Sequence, residues 1–285
     1  MNNPQIEILY LHDVKYGNLK PQEDSYGTRD NIFCIADGIT RDPKSPSDFN
    51  DLPIIQLLKN YPSPSPAKMA ADCFCKSFLD FTNNKVIDKN TVKSAFSSAN
   101  EKIAELNKKY NPNPDYLVND FYACVASGGL IYDGKLFWAS IGDCQVMIID
   151  KTGKIKFESP NGLEDFLHYT QSHKEKWSDP KRRKEIRRQY RNNPNKVIDG
   201  KLVSYGALTG EKNAEPFIKS GFKNLDPSDF ILFYSDGFAQ ALGDLHFRNS
   251  LVSTNREKLL ELDGKMAQGD YEKYGKERTL VLIQP

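Results

Sequence analysis

Three aspartates sit where apolar runs end. Asp37 follows Phe33-Cys34-Ile35-Ala36 and precedes Gly38. Asp236 follows Ile231-Leu232-Phe233-Tyr234-Ser235 and precedes Gly237. Asp143 follows Ala139-Ser140-Ile141-Gly142 and precedes Cys144. A carboxylate delivered by a buried element is costly unless it is paired, hydrogen-bonded or metal-bound. The adjoining glycine lets the chain turn sharply and brings a backbone carbonyl close to whatever the carboxylate holds. Hard dications such as Mg2+ and Mn2+ prefer oxygen donors of this kind. Asp-Gly is also a common turn pair, and Asp133-Gly134 is read as a hairpin turn alone. What raises the signal is recurrence, with Glu23-Asp24 adding acidic positions ahead of the first Asp-Gly.

The elements that must position these carboxylates are legible from periodicity. Residues 6–12 and 31–36 read as strands, the second entering a turn at Asp37-Gly38. Ser65-Pro66 is a helix start, with Ser as cap and Pro in the first turn, and that helix runs to about Phe81. A second helix over 89–110 carries one apolar stripe and stops at Asn111-Pro112-Asn113-Pro114. Strands follow over 121–132, 135–141, 145–149 and 154–158. Residues 230–234 and 279–283 are two more, with a helical region over 238–268. Strands and helices come in blocks, which favours an α+β layered architecture over a doubly wound parallel sheet.

Composition limits the classes available. The 285 residues include 16 Phe, 14 Tyr and 2 Trp, ample core material, so a disordered chain is excluded. No run approaches the ~18 apolar residues of a membrane helix. Thirty-nine basic against 38 acidic residues leave a net charge of +1, which argues against a polyanionic partner. The run Lys174–Arg191 is strongly basic but diluted by Glu175, Asp179 and Glu185. It reads as a solvated helix rather than a nucleic-acid surface. Five cysteines show neither zinc nor disulfide spacing, which suits buried thiols in a reducing compartment. Met1–Gln5 lacks the basic flank and apolar block of a signal peptide, so a cytoplasmic protein is expected.

Taken in order, Gln22-Glu23-Asp24-Ser25, Phe33 to Gly38, Ala139 to Cys144, Leu232 to Gly237 and the terminal Thr279-Leu280-Val281-Leu282 resemble the metal-dependent protein phosphatases, the type-2C serine/threonine class. The resemblance spans about Tyr10 to Ile283. It implies a four-layer sandwich, two antiparallel β-sheets flanked by helix pairs, as a single domain over 1–285 with a polar flap at about 159–203. It implies two Mn2+ or Mg2+ ions and direct attack by metal-activated water on phosphoserine or phosphothreonine of a protein substrate. Asp37 would bridge the ions, the Gly38 carbonyl and Asp236 would each ligate one, and Asp24, with Glu23, would hold metal-bound waters. Asp143 matches a position linked to a third, weaker ion. A monomer is expected, with no membrane partner.

Two positions depart from that pattern. An Arg usual before the acidic pair is absent, which leaves Lys20 and Arg41 as candidate phosphate-binding residues. An Asp usual near the last strand is Lys276, followed by Glu277. An ammonium about 4 Å from a dication is repelled by roughly 8 kcal/mol at an effective dielectric of about 20. Glu277, reached by a local shift at Gly275, is therefore read as the replacement ligand. The alternative is a phosphatase-like binding or regulatory module without catalysis.

Overall fold

The computed structural model describes residues 4–15, 22–39, 63–83, 87–88, 90–111, 121–172, 186–253 and 256–285. Apolar alternation builds two five-stranded antiparallel sheets. One runs β1 (Gln5–Leu11), β12 (Arg278–Gln284), β11 (Phe230–Tyr234), β6 (Gln145–Ile149) and β7 (Ile155–Glu158). The other runs β10 (Lys219–Asn224), β5 (Lys135–Ile141), β4 (Cys124–Tyr132), β3 (Ile32–Gly38) and β2 (Ser25–Arg29). A two-stranded ribbon, β8 (Val197–Ile198) and β9 (Lys201–Leu202), stands apart from both.

The side-chain period of two divides each strand between two cores. Phe33 and Ile35 of β3 meet Val146, Ile148, Ile231, Phe233 and Val281 between the sheets. Cys34 and Ala36 face the other way, onto helices α1 (Pro66–Thr82) and α2 (Thr91–Tyr110), where the rings of Phe74, Phe78 and Phe96 pack together. On the far side, Leu232, Tyr234 and Leu280 pack outward under Phe238, Phe247 and Leu259. The short helix α3 (Glu164–Ser172) lies after β7, and those outer side chains come from α4 (Asp236–Leu242), α5 (Leu245–Val252) and α6 (Arg256–Gly269). A last short helix, α7 (Tyr271–Tyr274), leads into β12. The architecture is the expected α+β sandwich of helices, sheet, sheet and helices.

The helix start at Ser65 forms as its chemistry directs: its hydroxyl accepts from the Lys68 N–H at 3.0 Å, and Pro66 needs no donor in the first turn. Elsewhere the structure differs from the sequence reading. β3 continues through Asp37 and Gly38 instead of ending at Ala36. β2 and β10 are additional edge strands, too polar to alternate visibly. The helical region after Asp236 is broken, because the Asp244 carboxylate caps a new helix by accepting from His246 N at 2.7 Å and Phe247 N at 3.3 Å. Residues 159–203 are not uniformly polar. Phe166, Ile186, Tyr190 and Val203, with Tyr205 just beyond the segment, form a small core of their own. Most of the basic run, 174–185, lies outside the described residues, and within the remainder Arg187 and Arg191 are buried. All five cysteines are free thiols; Cys73 alone is half-exposed, and burial pushes Cys75, Cys124 and Cys144 upward.

Candidate metal centre

At one end of the sandwich the alternation that fills the core runs out on acid. Asp37 continues the β3 face of Phe33 and Ile35. Next to it, a Cβ on Gly38 would lie 2.5 Å from the Ala67 carbonyl, so only glycine lets this strand end press against the first turn of α1. Asp236 opens α4 directly after β11. β11 and β12 are tied there by Ser235 N donating to Thr279 O at 3.0 Å and Thr279 N donating to Ser235 Oγ at 2.9 Å. The Ser235 hydroxyl in turn donates to Asp24 Oδ2 at 2.8 Å, which fixes that carboxylate beside Asp236.

Glu23, Asp24, Asp37, Gly38, Asp236, Lys276 and Glu277 together line a cavity of about 170 Å3. Three of the five carboxylates already have protein donors. Glu23 Oε1 accepts from Ser65 Oγ at 2.5 Å, Asp24 from Ser235, and Glu277 Oε1 from the backbone N–H groups of Glu23 at 2.6 Å and Asp24 at 2.7 Å. Asp37 and Asp236 meet no hydrogen-bond donor among the described residues. Asp143 stands in the β5–β6 turn, where Gly142 adopts φ +76°. It does not line the cavity, but its charge reaches Asp37. Lys20 and Arg41 lie outside the described residues.

The crowding shows in proton affinity. Burial, then the charges of Asp24, Asp236, Asp143 and Glu277, hold Asp37 well above the usual carboxylate range. Burial raises Asp24 to about 6 and the charge of Asp236 adds to it, while the Thr279 and Ser235 hydroxyls and Lys68 restrain the rise. Asp143 is raised to about 7, again mainly by burial and then by Asp236. A carboxyl raised in the folded state holds protons that the unfolded chain has already released. Its contribution is complete below pH ~4 and is lost as pH rises through 6 and 7. At ~1.4 kcal/mol per tenfold change in proton affinity, Asp24 and Asp143 imply a loss on the order of 4 kcal/mol between pH 5 and pH 8. Thermal melts in chelator are expected to show the metal-free chain several degrees less stable at pH 8 than at pH 5, with Mn2+ restoring stability at pH 8. A metal-free chain equally stable at both values would contradict the clustering.

The lining suits a hard dication: two carboxylates, Asp37 and Asp236, without donors among the described residues, a glycine beside them, and no Cys, His or Met at the cavity. Among the described residues no three acidic, His or Cys side chains converge tightly enough to cage an ion alone. That is compatible with Mg2+-like binding, which uses one or two carboxylates and retains several waters.

Residues that sequence reasoning passed over hold this arrangement together. Lys68 Nζ donates to Asp24 O at 2.8 Å and Ser25 Oγ at 2.6 Å, and pairs with Asp72 at 2.9 Å. A cation in the first turn of a helix is opposed by the helix dipole, and that was the available signal. Arg278 donates from Nε to Asp263 Oδ1 at 3.0 Å, closes a second contact to Oδ2, and from Nη1 holds the Lys276 carbonyl at 2.6 Å.

No family model and no curated protein matches the sequence. Solved structures do. The serine/threonine phosphatase PstP/Ppp of Mycobacterium tuberculosis superposes with a TM-score of 0.62 at 12 % identity, over 99 % of this chain and 98 % of that one. Stp1, a serine/threonine phosphatase of Staphylococcus aureus, gives 0.61 at 13 % identity over 100 % and 96 %. The chain has the type-2C phosphatase fold. The PstP catalytic domain in complex with two manganese ions gives a TM-score of 0.61 at 13 % identity, over 99 % of this chain and 97 % of that one. In this chain, the corner built by β3, β11, β12 and the start of α1 is where the carboxylates gather.

Proposed function

We propose that this chain is a Mn2+- or Mg2+-dependent phosphomonoesterase acting on phosphoserine and phosphothreonine of proteins. The observation that carries the reading is the pair Asp37 and Asp236. They lie at the ends of strands of two different sheets, stand without protein donors among the described residues, and line one small cavity together with Gly38 in a type-2C phosphatase fold. The PstP domain that holds two manganese ions supports an ion at this corner. Asp37, Asp236 and the Gly38 carbonyl would hold it. When bound, such an ion lowers the pKa of water and stabilises charge on a phosphoryl group.

The remaining residues orient and shield. Ser235 locks the Asp24 carboxylate, and Glu277 pins the backbone of Glu23 and Asp24, so the acidic rim is held rigid before substrate arrives. Two hydroxyls and two amides thus engage one oxygen each of Asp24, Glu23 and Glu277. Burial pushes the thiols of Cys75, Cys124 and Cys144 upward, which disfavours a thiolate nucleophile and suits attack by water. Residues 1–285 are read as one catalytic domain, with a flap insertion at about 159–203. The second reading is a non-catalytic module of the same fold. It is favoured by Lys276 at the rim and by the lack of a three-side-chain cage among the described residues.

The two readings separate on p-nitrophenyl phosphate. The purified chain is expected to release phosphate with Mn2+ and to stop in chelator. Asp236→Asn is expected to lower kcat/KM by at least about 100-fold while the metal-free melting temperature holds or rises. A folded chain with no turnover in Mn2+ or Mg2+ would decide for the module.

A further inference from the structure

Lys276 is a basic side chain lining the acidic cavity, and it is exposed. Its neighbours in charge are occupied. Lys68 is held by Asp72, Ser25 and the Asp24 carbonyl, and Arg278 by Asp263. The Lys276 ammonium makes no ion pair with any described carboxylate, although five surround the cavity. Its backbone, by contrast, is fixed. Arg278 Nη1 holds its carbonyl at 2.6 Å, and the next residue, Glu277, is anchored by two amides of the opposite strand entry. The arrangement is a flexible four-carbon stem on a rigid base, exposed beside a negative site, with a charge that Asp143 feels but that no described carboxylate pairs.

We propose that Lys276 is the residue that receives the substrate's phosphate. The proposal rests on the phosphatase reading above. A phosphomonoester dianion approaching these carboxylates is repelled unless a cation meets it at the rim. An ammonium, a compact point charge with three rotatable donors, meets a tetrahedral oxyanion from many angles without the planar fork of an arginine. Lys276 thus supplies an anchoring charge within the described residues, in a place that the usual ligand position would have given to metal binding.

The test uses the full chain loaded with Mn2+, with Lys276→Met removing the charge at similar length and Lys276→Arg retaining it. Calorimetry measures the affinities for Mn2+ and for inorganic phosphate, and p-nitrophenyl phosphate gives kcat and KM. Lys276→Met is expected to weaken inorganic phosphate binding by about tenfold or more and to raise KM comparably. Mn2+ affinity should move less than about threefold, and Lys276→Arg should recover most of the loss. Unchanged phosphate affinity in Lys276→Met overturns the proposal. So does a tenfold tightening of Mn2+ with phosphate binding unchanged, because the ammonium then faces the ion. If the native chain hydrolyses the aryl phosphate and Lys276→Met matches it, only the role of Lys276 falls. If the native chain neither hydrolyses it nor binds phosphate in Mn2+, the phosphatase reading falls with it.

Discussion

Asp37→Asn is expected to abolish metal-dependent phosphate release, by about a thousandfold or more, while making the metal-free protein more stable above pH 7. The two effects have one cause. Asp37 lies in the middle of the acidic set, feels Asp24, Asp236, Asp143 and Glu277 at once, and has no donor of its own among the described residues. An ion binding there loses its central oxygen ligand in the variant. Without an ion, the substitution removes a buried carboxyl that must be either protonated against the solvent or charged among other carboxylates, a cost of roughly a few kcal/mol above pH 7. Melting curves with and without Mn2+ separate the two. The native chain should gain stability from the ion at pH 8, and Asp37→Asn should begin higher and gain little. A variant that retains Mn2+-dependent turnover would remove Asp37 from the site.

Arg278→Leu is expected to cost about 3–5 kcal/mol in urea denaturation, the largest stability effect of a single substitution near the site. Arg278 and Asp263 are both buried, 2 % and 5 % exposed, and joined by a bidentate fork. Removing the guanidinium leaves the Asp263 carboxylate stranded between α6 and β12 and releases the Lys276 carbonyl. Arg278→Lys should rescue little, because an ammonium cannot span both carboxylate oxygens and the carbonyl together. The double variant Arg278→Leu, Asp263→Leu should recover most of the stability, since no buried charge remains. It should not recover phosphate affinity if the pinned backbone of Lys276 matters. A single variant within 1 kcal/mol of the native chain would mean that the pair is already solvated.

The local grammar of this protein was written in adjacent residues. An apolar run followed by Asp-Gly is enough to predict that Asp37 and Asp236 stand at strand ends. Ser65-Pro66 predicts the start of α1, and Asp133-Gly134 predicts the β4–β5 hairpin with Tyr132 opposite Lys135. These are short-range effects of steric preference and side-chain period, so sequence carries them. The same logic missed β2 and β10. An edge strand with one face open to solvent needs no alternation to be held by its neighbour's hydrogen bonds. It also placed the end of β3 two residues early, because pairing with Val125 and Cys124 carries Asp37 and Gly38 along as strand.

What sequence could not supply is which carboxylates already have partners. Its position beside Lys276 makes Glu277 an expected replacement ligand, a role that its Oε1 contacts do not exclude. The fold spends one of its oxygens on the amides of Glu23 and Asp24, more than 250 residues away in the chain. Asp24 is bound by Ser235 across 211 residues, and Glu23 by Ser65 across 42. Lys68, marked in the sequence only as a cation in the first turn of a helix, arrives at Asp24 because α1 packs on β2 and β3. Residue type and spacing determined where acid could be delivered. Long-range packing decided which acids are satisfied by protein donors and which, Asp37 and Asp236, meet none among the described residues, because a hydrogen bond depends on where two distant strands are brought and not on the residues beside it.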